Sequence, residues 1–84
     1  IEDLSYTESI IKDGVIYEVT NNGDKAAEFV EGYVLFFNGN NLADWDYSYF
    51  TDDDYEIKPG DTISKQLSCY KAFDRVEFYL DGRR

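Results

Sequence analysis

Apolar and polar residues alternate with a period of two along most of the chain. The clearest run lies near the end, where Val76, Phe78 and Leu80 are separated by single residues of more polar character. Because successive side chains of a β-strand point to opposite faces, this run places three large apolar groups on one face. Residues 15–20 alternate in the same way. No segment of useful length repeats its apolar residues with the helical period of 3.6, so the pattern predicts a protein built from strands.

Six or seven short strands account for the alternating runs. We predict them over residues 5–12, 15–20, 29–37, 42–50, 62–70 and 76–81. Turn-forming residues separate the runs, and residues 21–24 are of types that tolerate a positive φ. In residues 58–61, Pro59 presets φ at the second turn position and Gly60 accepts a positive φ at the third, which predicts a type II turn. Short strands at regular spacing predict an all-β fold, a small antiparallel β-sandwich that forms a single domain over residues 1–84.

Two of the predicted strands indicate their own place in a sheet. Residues 29–37 are apolar on both faces, as expected for a central strand that is covered on each side. Residues 62–70 are apolar on one face apart from Lys65, which predicts an edge strand where the ammonium group reaches water. From the alternation we expect six side chains to form the core between the sheets: Val19, Val34, Phe36, Leu67, Phe78 and Leu80.

The charge balance restricts the kinds of partner. Eight basic and eighteen acidic residues among 84 give a formal net charge of −10. This charge repels phosphate backbones and anionic lipids, so we expect no nucleic-acid ligand. No apolar run approaches the roughly 18 residues of a membrane span, so we expect no direct membrane insertion of this segment. The chain starts at Ile1 and contains no Met, which indicates a domain excised from a longer protein.

The side chains that most enzymes use are scarce. The chain has no His and one Cys, so the common general base, the Cys–His pair and the nitrogen ligands of metals are all missing. We therefore expect no enzymatic activity and no cofactor. Cys69 lies at the end of a predicted strand on the side of its apolar residues, and we expect a buried structural thiol there rather than a nucleophile.

A run of acidic residues after the fourth predicted strand is a candidate metal site. Asp52, Asp53, Asp54 and Glu56 carry the oxygen donors that Ca²⁺ prefers. Their spacing does not match the EF-hand loop, which alternates its ligands around a central Gly and ends in Glu. We expect a solvated acidic loop here, with a calcium site as the alternative.

Three aromatic residues, Trp45, Tyr47 and Tyr49, share one face of the predicted strand 42–50. On an exposed face, three rings about 7 Å apart could stack on successive sugars while Asp46 or neighbouring carboxylates bind hydroxyl groups. In the core, the same rings would supply apolar volume that a small chain with few aliphatic residues needs. We favour the core interpretation and keep carbohydrate binding as the alternative. The solvent exposure of the three rings distinguishes the two.

Three segments of the chain resemble a known family. They read GVIYEVTNNGDKAAEFVEGYVLFFNGNN, YEIKPGDTIS and FDRVEFYLDG, and they lie between Gly14 and Gly82. They are similar to the small FxLYD-type, immunoglobulin-like domains of extracytoplasmic and cell-surface proteins of bacteria. In that family a strand ends in an aromatic FxLYD-like stretch, where residues 34–38 here read VLFFN, and a Lys-Pro-Gly-Asp/Glu turn introduces a later strand.

The resemblance implies an immunoglobulin-like sandwich that serves as a non-catalytic accessory module of a larger extracytoplasmic or cell-surface protein. Such a module acts as a spacer or as a protein-interaction domain, so the implied partners are another protein or neighbouring domains of the same chain. The alternative function is a carbohydrate-binding module that uses the aromatic row. An exposed strand edge would favour partner binding by strand addition.

Overall fold

The computed structural model describes residues 3–83, with only the backbone of Arg83, and these residues form six β-strands. The strands are β1 (Leu4–Ile11), β2 (Gly14–Asn21), β3 (Phe29–Asn38), β4 (Asn41–Tyr49), β5 (Thr62–Ser68) and β6 (Arg75–Arg83). The predicted strands therefore lie close to the observed ones. The sequence pattern placed the end of β5 two residues too late, and it missed both ends of β6, because polar residues continue the backbone pairing there.

The strands form two three-stranded antiparallel sheets, with the orders β1-β2-β5 and β4-β3-β6. The prediction of an all-β antiparallel sandwich is confirmed, with six strands. In immunoglobulin terms, the first order corresponds to strands A-B-E and the second to C′-C-F. Within residues 3–83, no strand occupies the position of strand G beside β6.

The side chains on the inner faces of both sheets form the core. Four of the six predicted core residues are fully buried: Val19, Val34, Phe36 and Leu67. Phe78 and Leu80 are only partly buried and pack against the core, so the prediction that they belong to it overstates their burial. The reason is topological, because β6 lies at the end of its sheet and no further strand within residues 3–83 covers its open side.

The predicted positions of β5 and β3 in their sheets are both confirmed, but the predicted covering of β3 is not. β5 is an edge strand and Lys65 is exposed on it, as predicted. β3 is the central strand of its sheet, also as predicted, and its inner face is buried. The prediction that β3 is covered on both sides is wrong, since Tyr33 on its outer face is largely exposed. Nothing in the described residues packs over that outer face.

The turn before β5 has the backbone geometry that the sequence predicts. The turn at residues 58–61 has a φ of 86° at Gly60 and a 2.9 Å hydrogen bond from the Asp61 N–H to the Lys58 carbonyl oxygen, which confirms the type II turn. Gly14 is the first residue of β2. A Cβ atom at this position would overlap with the carbonyl oxygen of Leu67, so Gly14 allows β5 to approach β2 closely.

Asn21 ends β2 and connects three segments through its side chain. It is almost completely buried, and its amide donates to the carbonyl oxygens of Lys25 and Ile57 at 2.7 and 2.8 Å. Its side-chain oxygen accepts a 2.9 Å hydrogen bond from the Gly23 N–H, which forms an Asx turn. The turn after β2 therefore depends on this side chain, and no described non-glycine residue has a positive φ there.

Candidate functional site: an exposed aromatic face

The rings of Trp45, Tyr47 and Tyr49 lie on the outer surface of the β4-β3-β6 sheet. Their exposed fractions are 57%, 54% and 50%, so the favoured interpretation that they fill the core is wrong. The physical reason lies in the register of β4, whose inner face carries Asp44 and Asp46 opposite the buried side chains of β3. Phe50 and Ile57, which follow β4 in the chain, supply the core volume instead.

Cross-strand pairing extends the aromatic row over the whole sheet. Tyr33 of β3 lies opposite Tyr47 of β4 on one side and opposite Tyr79 of β6 on the other. Tyr33 and Tyr79 are each 46% exposed, and their ring centroids are 5.0 Å apart. We call the surface formed by these side chains the aromatic face: Tyr33, Trp45, Tyr47, Tyr49 and Tyr79.

Tyr33 and Tyr79 were missed as candidate site residues. The alternation of β3 and β6 does place both of them on the faces opposite the buried residues, so a signal existed in each strand. The pairing of β3 with both β4 and β6 brings these two residues next to the rings on β4. Such long-range pairing cannot be read from a single sequence.

The rings on β4 adopt two orientations. Trp45 and Tyr47 have centroids 6.1 Å apart and planes within 18° of each other, whereas Tyr47 and Tyr49 are nearly perpendicular at 88°. A shallow groove of about 350 Å³ runs between the first two rings and β3. Glu31, which is half-buried, provides the carboxylate of this groove. The surface thus combines flat apolar area, phenol hydroxyls and a negative charge.

Asp46 does not share the aromatic face. Its two carboxylate oxygens accept hydrogen bonds of 2.9 Å from the backbone N–H groups of Tyr47 and Ser68. The second bond joins β4 of one sheet to the end of β5 of the other, so this side chain closes one side of the sandwich. The predicted pairing of Asp46 with the ring row in ligand binding therefore has no geometric support.

Ionic and hydrogen-bonding groups surround Tyr79 at the opposite end of the face. The Glu77 carboxylate accepts hydrogen bonds from Arg75 and from the Tyr79 hydroxyl, the latter at 3.0 Å. The bond from Arg75, followed by that from Tyr79, lowers the pKa of Glu77. The same contact with Glu77 raises the pKa of Tyr79. Near neutral pH the phenol is therefore a neutral hydrogen-bond donor beside an ionised carboxylate.

The acidic loop lies at one end of the sandwich, next to Tyr49, the last of the three rings on β4. Asp52, Asp53, Asp54 and Glu56 line an open cavity of about 500 Å³, together with the cation of Lys58. The Asp52 carboxylate accepts a 2.8 Å hydrogen bond from the Asp54 N–H, which shapes the loop itself. In the described part of the chain, no three Asp, Glu or Cys side chains are grouped so that they could hold a metal ion.

Cys69 is buried, as predicted for a structural thiol. Its Sγ–H donates a 3.4 Å hydrogen bond to the carbonyl oxygen of Lys71, two residues further along the chain. The thiol is therefore enclosed by its own loop and by the core.

Comparisons with known proteins add no assignment. Neither the models of known families nor the curated proteins nor the solved structures contain a match to this chain. Between residues 3 and 83 the structure has no helix with the length and apolar character needed to cross a membrane.

Proposed function

We propose that this domain is a non-catalytic accessory module of a larger extracytoplasmic protein and that it binds a protein partner through the aromatic face. The observation that carries the proposal is the exposure of five Trp and Tyr rings on one sheet surface. Exposed apolar patches are usually small on monomeric proteins, and larger ones mark interaction sites. A rigid spacer without a partner needs no such surface.

The composition of the face fits a protein partner. Trp and Tyr are enriched at protein interfaces, because their rings bury large areas while a hydroxyl or indole N–H still forms a hydrogen bond. Both rings of the Trp45–Tyr47 pair are about half exposed and belong to a regular strand, so little side-chain freedom is lost on binding. The net charge of −10 favours a partner whose surface is basic or neutral.

The resemblance to FxLYD-type domains is consistent with this role. Within the proposal, it accounts for the extracytoplasmic location and for the absence of enzymatic activity, and it makes neighbouring domains of the same chain candidate partners. The structure adds a surface that sequence reasoning alone placed in the core.

A binding experiment tests the proposal with one double variant and one matched control. We expect the fluorescently labelled domain to bind isolated envelopes of the source cells saturably. The Trp45→Ala/Tyr47→Ala variant should bind at least about 30-fold more weakly, because such aromatic anchors typically contribute about 2 kcal/mol or more. Tyr70→Ala serves as the control, since Tyr70 is 82% exposed but lies outside the aromatic face.

The treatment of the envelopes identifies the class of partner. Loss of binding after proteolysis of the envelopes supports a protein partner. Equal binding by the double variant and the wild-type domain would contradict the proposal, and so would the absence of saturable binding by the wild-type domain, which indicates a spacer.

Carbohydrate binding is the second candidate function, and the near-parallel planes of Trp45 and Tyr47 favour it. Parallel rings of this kind can stack against the apolar faces of sugars, and Glu31 in the adjoining groove could accept hydrogen bonds from hydroxyl groups. In the same experiment, binding that survives proteolysis but disappears after periodate oxidation of the envelopes supports this function.

A further inference from the structure

Four of the six strands are edges, and three of these carry an inward-facing charge. β1 has Glu8 opposite the buried Tyr17, and β5 has Lys65 opposite the same residue. β4 has Asp44 and Asp46 opposite buried residues of β3. Inward charges of this kind are a common protection of edge strands, because they prevent another strand from pairing there without burying the charge.

The edge formed by β6 has no such protection. Its inward-facing residues between positions 76 and 80 are Val76, Phe78 and Leu80, all partly buried. Tyr6 of β1 contacts Phe78 across the same opening, with ring centroids 4.9 Å apart, and remains 45% exposed. The side of this opening that β6 forms is therefore apolar between positions 76 and 80, whereas β1 contributes both Tyr6 and the charged Glu8.

The backbone phase of β6 directs hydrogen-bonding groups towards this opening. The Val30 N–H donates to Thr51 and its carbonyl accepts from Phe50, so the backbone of Val30 points away from β6. Val30 lies opposite position 82, so this pair forms no backbone hydrogen bonds between β3 and β6. Because hydrogen-bonded and non-hydrogen-bonded pairs alternate along antiparallel strands, the same is true of the pairs formed by positions 76, 78 and 80. It follows that the backbone groups of Val76, Phe78 and Leu80 point towards the open edge.

We propose that β6 pairs antiparallel with β6 of a second copy of this chain, about a two-fold axis at Phe78. In this register Phe78 lies opposite itself, Val76 lies opposite Leu80, and Arg75 lies opposite Asp81 of the second copy. The two sheets join into one continuous six-stranded sheet, with two symmetric cross-strand ion pairs on its outer face. The aromatic faces of both copies then form one surface.

Charge complementarity distinguishes this register from its two nearest neighbours. Because only every second residue of β6 directs its backbone groups outwards, the register between the two β6 strands can change only in steps of two residues. A shift in one direction places Glu77 opposite Glu77 of the second copy, and a shift in the other direction places it opposite Asp81. Each shift sets like charges face to face, which is destabilising. Of these three registers, only the one centred on Phe78 pairs a cation with an anion. A register centred on Val76 would set Arg75 opposite Glu77, but it would leave Leu80 without a partner in the ladder.

Sedimentation equilibrium of the isolated domain tests the pairing. We expect a reversible monomer–dimer equilibrium below about 1 mM protein, measured at about 0.15 M salt so that the net charge of each copy is screened. Arg75→Asp and Asp81→Arg should each weaken the dimer about tenfold or more, since each replaces two attractive pairs by repulsive ones. The double variant Arg75→Asp/Asp81→Arg should restore the affinity of the wild-type domain.

Two controls with the same changes in net charge accompany these variants. Lys71→Asp is the control for Arg75→Asp, and Asp53→Arg is the control for Asp81→Arg. Lys71 and Asp53 are exposed residues outside β6. Both controls should leave the dimer unchanged, and so should Trp45→Ala/Tyr47→Ala, which separates this contact from association through the aromatic face. Thermal unfolding of every variant verifies that it is folded.

Amide exchange of the wild-type domain gives a readout that needs no variant. The N–H groups of Val76, Phe78 and Leu80 should become protected as the protein concentration rises, whereas those of Glu77 and Tyr79 are already paired with β3. A domain that is monomeric up to about 1 mM overturns the proposal, as does a dimer that ignores both charge reversals or exchange of these three amides that is independent of concentration.

Discussion

Replacing Phe36 with alanine should lower the free energy of unfolding by about 3–5 kcal/mol. Phe36 is fully buried on the inner face of β3, opposite Val76, and its ring contacts Phe73 edge-on with centroids 4.9 Å apart. Removing the ring deletes apolar contacts and leaves a cavity that neighbouring strands cannot fill. A small domain has only about 5–15 kcal/mol of stability, so the variant should be close to unfolding.

The adjacent residue provides the control for this prediction. Phe37 is also a phenylalanine in β3, but it lies on the outer face, half-buried beneath the guanidinium of Arg75 at 4.1 Å. Phe37→Ala should cost about 1 kcal/mol, since the ring leaves no enclosed cavity. Urea unfolding at pH 7 measures both variants. Similar losses for Phe36→Ala and Phe37→Ala would show that the inner and outer faces of β3 are assigned incorrectly.

The second large effect is expected for Asn21→Ala, at about 3 kcal/mol. This substitution removes three hydrogen bonds, of which the one to the Ile57 carbonyl is buried and the other two are partly buried. The Lys25 carbonyl loses its side-chain donor and the Gly23 N–H loses its acceptor, whereas the Ile57 carbonyl keeps the bond from the Ala27 N–H. Each buried polar group that loses its partner costs about 1–3 kcal/mol, and water that enters the site recovers part of this cost. The thermal midpoint and the urea midpoint should both fall.

Asn22→Ala is the matched control, because Asn22 is the same residue type one position later. It is exposed and donates a 2.7 Å hydrogen bond to the hydroxyl of Ser5 at the surface. Its loss should change stability by about 0.5 kcal/mol, as is usual for surface positions. If Asn21→Ala were as mild as Asn22→Ala, the side chain of Asn21 would not connect the turn to residues 25 and 57.

Local patterns in the sequence were sufficient for the strands and for several details of their placement. The alternation in residues 15–20 and 76–81 reflects one covered face, and Lys65 on an apolar face indicates an edge strand. Proline followed by glycine at 59–60 defines a turn type whose backbone geometry is largely independent of the rest of the fold. These features depend on a few neighbouring residues, so one sequence is enough to reveal them.

The aromatic row required information that local patterns do not contain. Alternation shows that Trp45, Tyr47 and Tyr49 share a face, but not which face of the sheet meets the core. That choice depends on Asp44 and Asp46, whose positions opposite β3 place charge on the inner side of an edge strand. A general preference for burying large rings gave the wrong side here.

The partial exposure of Phe78 has a similar origin. Its alternation with polar neighbours is that of a core residue, and its ring does stack on buried Tyr17 with centroids 3.6 Å apart. Complete burial would need a strand on the far side of β6, and strand order follows from long-range pairing. The same open side explains why β6 is a candidate for pairing with a second copy.

The proposed function requires that the aromatic face is open to solvent, and Trp45 reports on this directly because it is the only tryptophan in the chain. We would measure acrylamide quenching of its fluorescence in the folded domain and in urea. With 57% of the residue exposed, quenching in the folded state should be comparable with that of the unfolded chain, and the emission maximum should shift little on unfolding. A blue-shifted emission with several-fold protection from acrylamide in the folded state would place Trp45 in the core and contradict the account.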